Sequence, residues 1–135
     1  MNKRAAKEWL TIAWHDLSSA KILLEANHYT DSIGVDLQQA LEKSLKAIIA
    51  NENLKIPKTH NLYEIYVSLP VSLSLSDREL DLLDIATDYF KEERYPNPNY
   101  ILPPKEEVQE VLLFTEMLFD KVCNVLEIES DEVKK

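Results

Sequence analysis

TDSIGVDLQQALEKSLKAIIAN, residues 30 to 51, decides how the chain is read. Ile33, Leu37, Ala40, Leu41, Leu45 and Ile48 recur at three- and four-residue steps, the spacing of one face of a helix, and Thr30 or Asp31 is placed to cap its start. A second set of residues on the same helix is polar where apolar ones are expected. Stepping from Val35 gives Gln39, Glu42, Lys46 and Ile49, a polar stripe with apolar ends. Either it is a solvated flank with a weak Glu42–Lys46 pair, or it is a half-buried cluster whose charges need partners.

Working outward, Ala6, Leu10, Ala13, Leu17, Ala20 and Leu24 place a helix over residues 3 to 27. Asp16 lies between Ile12 and Ala20 in a neighbouring stripe with Trp9 and Leu23, so this carboxylate also needs a partner. Downstream, Pro57 breaks the chain, a short helix fits Thr59 to Leu69, and Pro70 ends it. Ser76-Asp-Arg-Glu79 has the form of a capping box, which starts a helix near Asp77 that runs to about Glu93. Pro104 suits the first turn of a last helix whose buried side carries Val108, Val111, Leu112, Thr115, Leu118, Phe119, Val122 and Leu126. The tail after residue 128, ESDEVKK, is charged and expected to fray.

The chain of 135 residues contains one glycine, and β-rich folds need several for turns and bulges. The expected fold is therefore all-α, an antiparallel bundle of four to five helices in one domain over residues 1–128. Apolar residues wider than one stripe, Trp9, Trp14, Phe114 and Phe119, point to a homodimer.

The formal charge of −9 argues against duplex nucleic acid as a partner, since such binding depends on Lys and Arg neutralising phosphates. A local basic pocket for a small ligand stays open. A single cysteine forms no internal disulfide, and there is no leader and no apolar run near the length of a membrane span, so a cytoplasmic protein without membrane attachment is expected. His15, His28 and His60 are isolated from cysteines and carboxylates at metal-ligand spacing, so no metal or other cofactor is expected. Cys123 reads as a small core residue, and one glycine builds neither a phosphate loop nor a nucleophile elbow.

One segment remains. Four of the six prolines, Pro96, Pro98, Pro103 and Pro104, follow Arg94 and Tyr95 in KEERYPNPNYILPP, residues 91 to 104. Prolines fix φ and make a stiff wall, which suits holding a forked guanidinium toward an anion.

Three short motifs occur in order: QQALEKSLKA at 38–47, PKTHNL at 57–62 and RYP at 94–96. Together they resemble a HEPN domain of the prokaryotic type, with the likeness running from Trp9 to about Glu127. The resemblance implies a helical bundle that pairs as a homodimer, with the end of the fourth helix and the loop after it near the two-fold axis. It also implies a two-component system, in some cases toxin and antitoxin, in which the protein accompanies a minimal nucleotidyltransferase. Active members of the family are metal-independent ribonucleases that use an arginine and, after four to six residues, a histidine. Here Tyr95, Pro96, Asn97, Pro98, Asn99, Tyr100 and Ile101 follow Arg94, and none is a histidine. The expected function is thus a binding module in which Lys43, Lys46, Arg94 and Tyr95 take a nucleotide or phosphate-bearing ligand, while Asp16, Gln39 and Glu42 form a structural polar cluster. Two alternatives stand beside it. One is an atypical ribonuclease with Arg94 at the phosphorane and Tyr100 or His60 in place of the absent histidine. The other is a purely structural partner subunit.

Overall fold

The computed structural model describes residues 1–94, 99 and 101–135. Its elements are α1 (Lys3–Glu25), α2 (Thr30–Asn51), α3 (Leu62–Val67), α4 (Asp77–Arg94), α5 (Lys105–Val125) and a closing 3-10 turn (Ser130–Glu132), with no strand among the described residues. The expected all-α bundle is the observed one.

α2 is the axis. It packs against each of the other four helices, and its second half is buried without interruption from Ser44 to Asn51. A helix covered all round must satisfy whatever polar groups it carries from within the protein. That requirement places the site. α1 lies along α2 through Ala6, Leu10, Ala13, Leu17 and Ala20, small and large residues that let the two helices approach closely. The turn between them includes Asn27 at φ 55°, a left-handed position that asparagine tolerates.

Several ends differ from the sequence expectation, each for a local reason. Tyr29, not Thr30 or Asp31, occupies the cap position of α2 and makes no side-chain bond there. Thr30 Oγ1 instead donates to the Pro103 carbonyl at 2.7 Å, tying the start of α2 to the approach to α5. α3 begins at Leu62 and not at Thr59, because Thr59 Oγ1 accepts from Asn61 N and the Asn61 side chain then caps Glu64 N at 3.0 Å. The capping box forms as expected: Ser76 Oγ accepts from Glu79 N at 3.1 Å, and Glu79 Oε1 accepts from Ser76 N at 2.8 Å.

The tail is not frayed. Val133 is fully buried, the Lys134 ammonium stands 4.9 Å from the Trp14 ring, Glu132 pairs with Lys7, and His15 Nε2 meets the Lys135 carbonyl at 2.7 Å. One apolar side chain and matched groups on α1 hold a segment that composition alone reads as solvated. This packing also changes the argument for a second copy. Phe114 and Phe119 are buried within one chain, and Trp9 and Trp14 pack against the same core, so these four residues do not require a dimer partner.

Cys123 is buried, and burial followed by the charge of Asp120 pushes its thiol up to about 11, consistent with a packing role.

Candidate functional site

The polar stripe of α2 is buried at Glu42 and Lys46 and half-buried at Gln39, and it converges on one carboxylate. Glu42 is 5% exposed, and its two oxygens accept from three side-chain donors. Lys46 Nζ donates to Oε2 at 2.8 Å, while Oε1 accepts from Gln38 Nε2 at 3.0 Å and from His60 Nδ1 at 2.8 Å. Burial works against the ionised form, but the bonds from Lys46, His60 and Gln38 outweigh it and hold this carboxyl below the ordinary glutamate range. Glu42 is therefore a fixed negative charge at neutral pH.

His60 enters from the loop before α3 and is braced on three sides. Its carbonyl accepts from Gln38 Nε2 at 3.0 Å, and the nearby Leu62 N donates to Thr87 Oγ1 on α4 at 3.0 Å. The imidazole lies against the Phe90 ring, 4.4 Å between centroids and 36° between planes. Half of the His60 side chain remains exposed. It lines a cleft of about 640 Å³ together with Lys58, Thr59, Asn61, Glu64, Thr87, Phe90 and Lys91. Position 94, the end of α4, is one helical turn beyond Phe90.

An imidazole whose Nδ1 donates to a buried carboxylate is the arrangement that orients a proton acceptor, with the second ring nitrogen available to a ligand. Lys58 and Lys91 line the same cleft and supply positive charge beside the imidazole. Among the described residues no cluster of three metal-ligating side chains occurs. None of the described helices is long and apolar enough to cross a membrane.

The residues singled out from sequence divide into three groups. Glu42, Gln39 and His60 meet in one network, Gln39 through its donation to Gln38 Oε1 at 2.7 Å. Asp16 and Lys43 do not join it; they pair with each other at 2.7 Å between α1 and α2, which answers the need of Asp16 for a partner. Lys46 is 6% exposed and committed to Glu42, so neither expected lysine offers a free ammonium to the cleft, where Lys58 and Lys91 stand instead. Tyr95, Tyr100 and the side chain of Arg94 lie outside the described residues. Sequence reasoning missed Gln38, which is fully buried, although the four-residue step from Gln38 to Glu42 was the available signal.

The pair beside the network has its own consequence. Asp36 is pushed up to about 6 by burial and then by the charge of Asp16, with Lys43 pulling the other way. A carboxyl raised in the fold contributes stability that is full below its unfolded value near 4 and is lost as pH rises through the folded value. At neutral pH the ionised Asp36 therefore strains the fold. Asp36→Asn is expected to be more stable than wild type at pH 7.5, by about 1 kcal/mol once solvent screening is allowed for, with the advantage shrinking toward pH 4.5. Thermal melts at the two pH values check this, and a gain of equal size at both contradicts it.

Comparison with known proteins agrees with the fold. The model of the HEPN domain family matches residues 6–127, and the chain belongs to that family. It is 28% identical to the Methanocaldococcus jannaschii protein named "Putative toxin MJ1304", over 99% of this chain and 91% of that protein. Among solved structures, TT1696 from Thermus thermophilus superposes with a TM-score of 0.76 at 22% identity, covering 92% of this chain and 98% of that one. ST0689, described as an archaeal HEPN homologue, gives 0.67 at 16% identity, covering 88% and 95%. At these identities the two structures speak for the fold alone.

Proposed function

We propose that this HEPN module binds a nucleotide or other small phosphate-bearing ligand in the His60 cleft and at the adjoining end of α4, and acts in the cytoplasm as a homodimeric partner of a minimal nucleotidyltransferase. The observation that carries the reading is the braced imidazole of His60 opening into a cleft with Phe90 beside it and Lys58 and Lys91 at its rim. Likeness to a protein named as a toxin supports placing the pair among toxin–antitoxin systems. The nucleotidyltransferase partner rests on the resemblance carried by the three short motifs, and co-purification with the product of the neighbouring gene tests it.

In this reading Arg94 supplies a forked pair of donors to the phosphate, and Tyr95 a ring face or hydroxyl. Arg94→Lys keeps the charge and loses the fork, so nucleotide affinity measured by calorimetry is expected to fall about tenfold with the fold intact. Equal affinity in both proteins returns Arg94 to a structural role at the helix end.

The Glu42–His60 pair favours one second reading, a metal-independent ribonuclease in which His60 takes the place of the histidine absent after Arg94. There the imidazole accepts the 2′-hydroxyl proton while Arg94 stabilises the phosphorane. Cleavage of single-stranded RNA that is lost in His60→Asn selects this reading; nucleotide binding without cleavage selects the first.

A further inference from the structure

We infer that Gln38 is the positioning residue of this cleft, setting the tautomer and the place of the His60 imidazole so that Nε2 is the proton-accepting nitrogen offered to a ligand. The inference rests on the reading of the His60 cleft as a ligand site. Gln38 is fully buried, yet its amide is used on every side. The Nε2 group donates to Glu42 Oε1 and to the His60 carbonyl, each at 3.0 Å, and Oε1 accepts from Gln39 Nε2 at 2.7 Å. These three bonds settle the orientation of the amide. Turned over, its oxygen would face a carboxylate oxygen and a carbonyl oxygen, and its NH₂ would face another NH₂.

One side chain thus binds both the hub that holds the ring and the backbone of the residue that carries the ring. Glu42 Oε1 lies 2.8 Å from His60 Nδ1, and an unprotonated Nδ1 there would set two lone pairs against each other. Nδ1 must carry the proton, which leaves Nε2 as the acceptor. Without Gln38, Glu42 can rotate toward Lys46 alone, and the loop bearing His60 loses its tie to α2. The ring is then free to present either nitrogen.

The test is imidazole ¹⁵N NMR on histidine-labelled protein at pH 8, with the His60 signals assigned by comparison with His60→Asn. Wild type is expected to show a single Nδ1–H tautomer for His60. Gln38→Met, close in shape but without the amide, is expected to show a several-fold rise in the Nε2–H form and a several-fold loss of affinity for AMP. Gln39→Ala, at a half-buried position, releases the Gln38 amide without removing it and should shift the tautomer in the same direction by less. An Nε2–H tautomer in wild type overturns the inference on its own, even if Gln38→Met does not fold. So does an unchanged Nδ1–H tautomer in both variants. Failure of wild type to bind AMP counts against the proposed function, while the tautomer spectra still decide the role of Gln38.

Discussion

Glu42→Ala is expected to lower the melting temperature by more than about 10 °C. The substitution removes the acceptor for three donors at once and leaves the Lys46 ammonium, 6% exposed, without a counter-charge. Breaking a buried pair by deleting one partner costs about 3–5 kcal/mol, because the other charge stays buried and uncompensated. In a domain of this size each kcal/mol moves the midpoint by several degrees, roughly 2–8 °C across small and medium domains. The Arg78–Glu110 pair supplies the control, since both its side chains are about half exposed and solvent screens them. Glu110→Ala should leave the melting temperature nearly unchanged. If the loss in Glu42→Ala comes from the orphaned ammonium, Glu42→Ala combined with Lys46→Met should recover part of it, as an apolar side chain replaces the charge. Differential scanning calorimetry on the four proteins checks the series. A shift of less than a degree or two in Glu42→Ala would mean that the stripe on α2 behaves as a solvated flank.

That stripe also marks how far the sequence can be read. The helices α1, α2 and α5 are legible from long apolar periodicity and α4 from the Ser76–Glu79 box, because spacing and box are properties of a few neighbouring residues. The same locality explains the errors. Thr59 and Asn61 both favour helix starts, and which one caps depends on where the loop from Pro57 is tied down, which is set by Thr87 on another helix. The charge of the tail is visible in the sequence, while its fate depends on Val133 finding a place in the core and Glu132 finding Lys7.

At the site, polar residues on a buried face announce that partners must exist, and Glu42 stands out on that ground. The identity of the partners is not legible. His60 lies 18 positions from Glu42, and Phe90 comes from a different helix, so no spacing rule connects them. Lys43 and Lys46 look like cations waiting for a ligand because a sequence shows charges and not their counter-charges. Asp16, on the facing helix, takes the first and Glu42 the second. The cations at the cleft, Lys58 and Lys91, belong to no apolar stripe and carry no pattern of their own.

The single glycine yields the second large effect. Gly34 lies within α2, where glycine is less favourable than alanine by about 0.5–1 kcal/mol, so propensity alone says that Gly34→Ala should stabilise. Packing says the reverse. A Cβ at position 34 would stand 2.8 Å from Tyr89 Cγ and 2.9 Å from Cδ2, closer than such atoms come, and 3.1 Å from Tyr89 Cβ, which is tight. The ring cannot retreat cheaply. Tyr89 is buried, and its hydroxyl donates to Glu107 Oε2 at 2.6 Å, so moving it breaks that bond and shifts α4 against α2. Overpacking a rigid site costs typically about 1–3 kcal/mol and sometimes more. The clash outweighs the propensity gain, and a net loss of about 1–2 kcal/mol is expected. Urea denaturation of Gly34→Ala measures it, and the background of Tyr89→Ala isolates the cause. With the ring gone the main obstacle to Cβ is gone, and Gly34→Ala should become neutral or stabilising by up to about 1 kcal/mol. An equal loss in both backgrounds would show that the constraint at position 34 lies elsewhere than in Tyr89. A change of sign would show that the one glycine of this chain is there to let α4 close on α2, which is the contact that carries Thr87 and Phe90 up to the loop of His60.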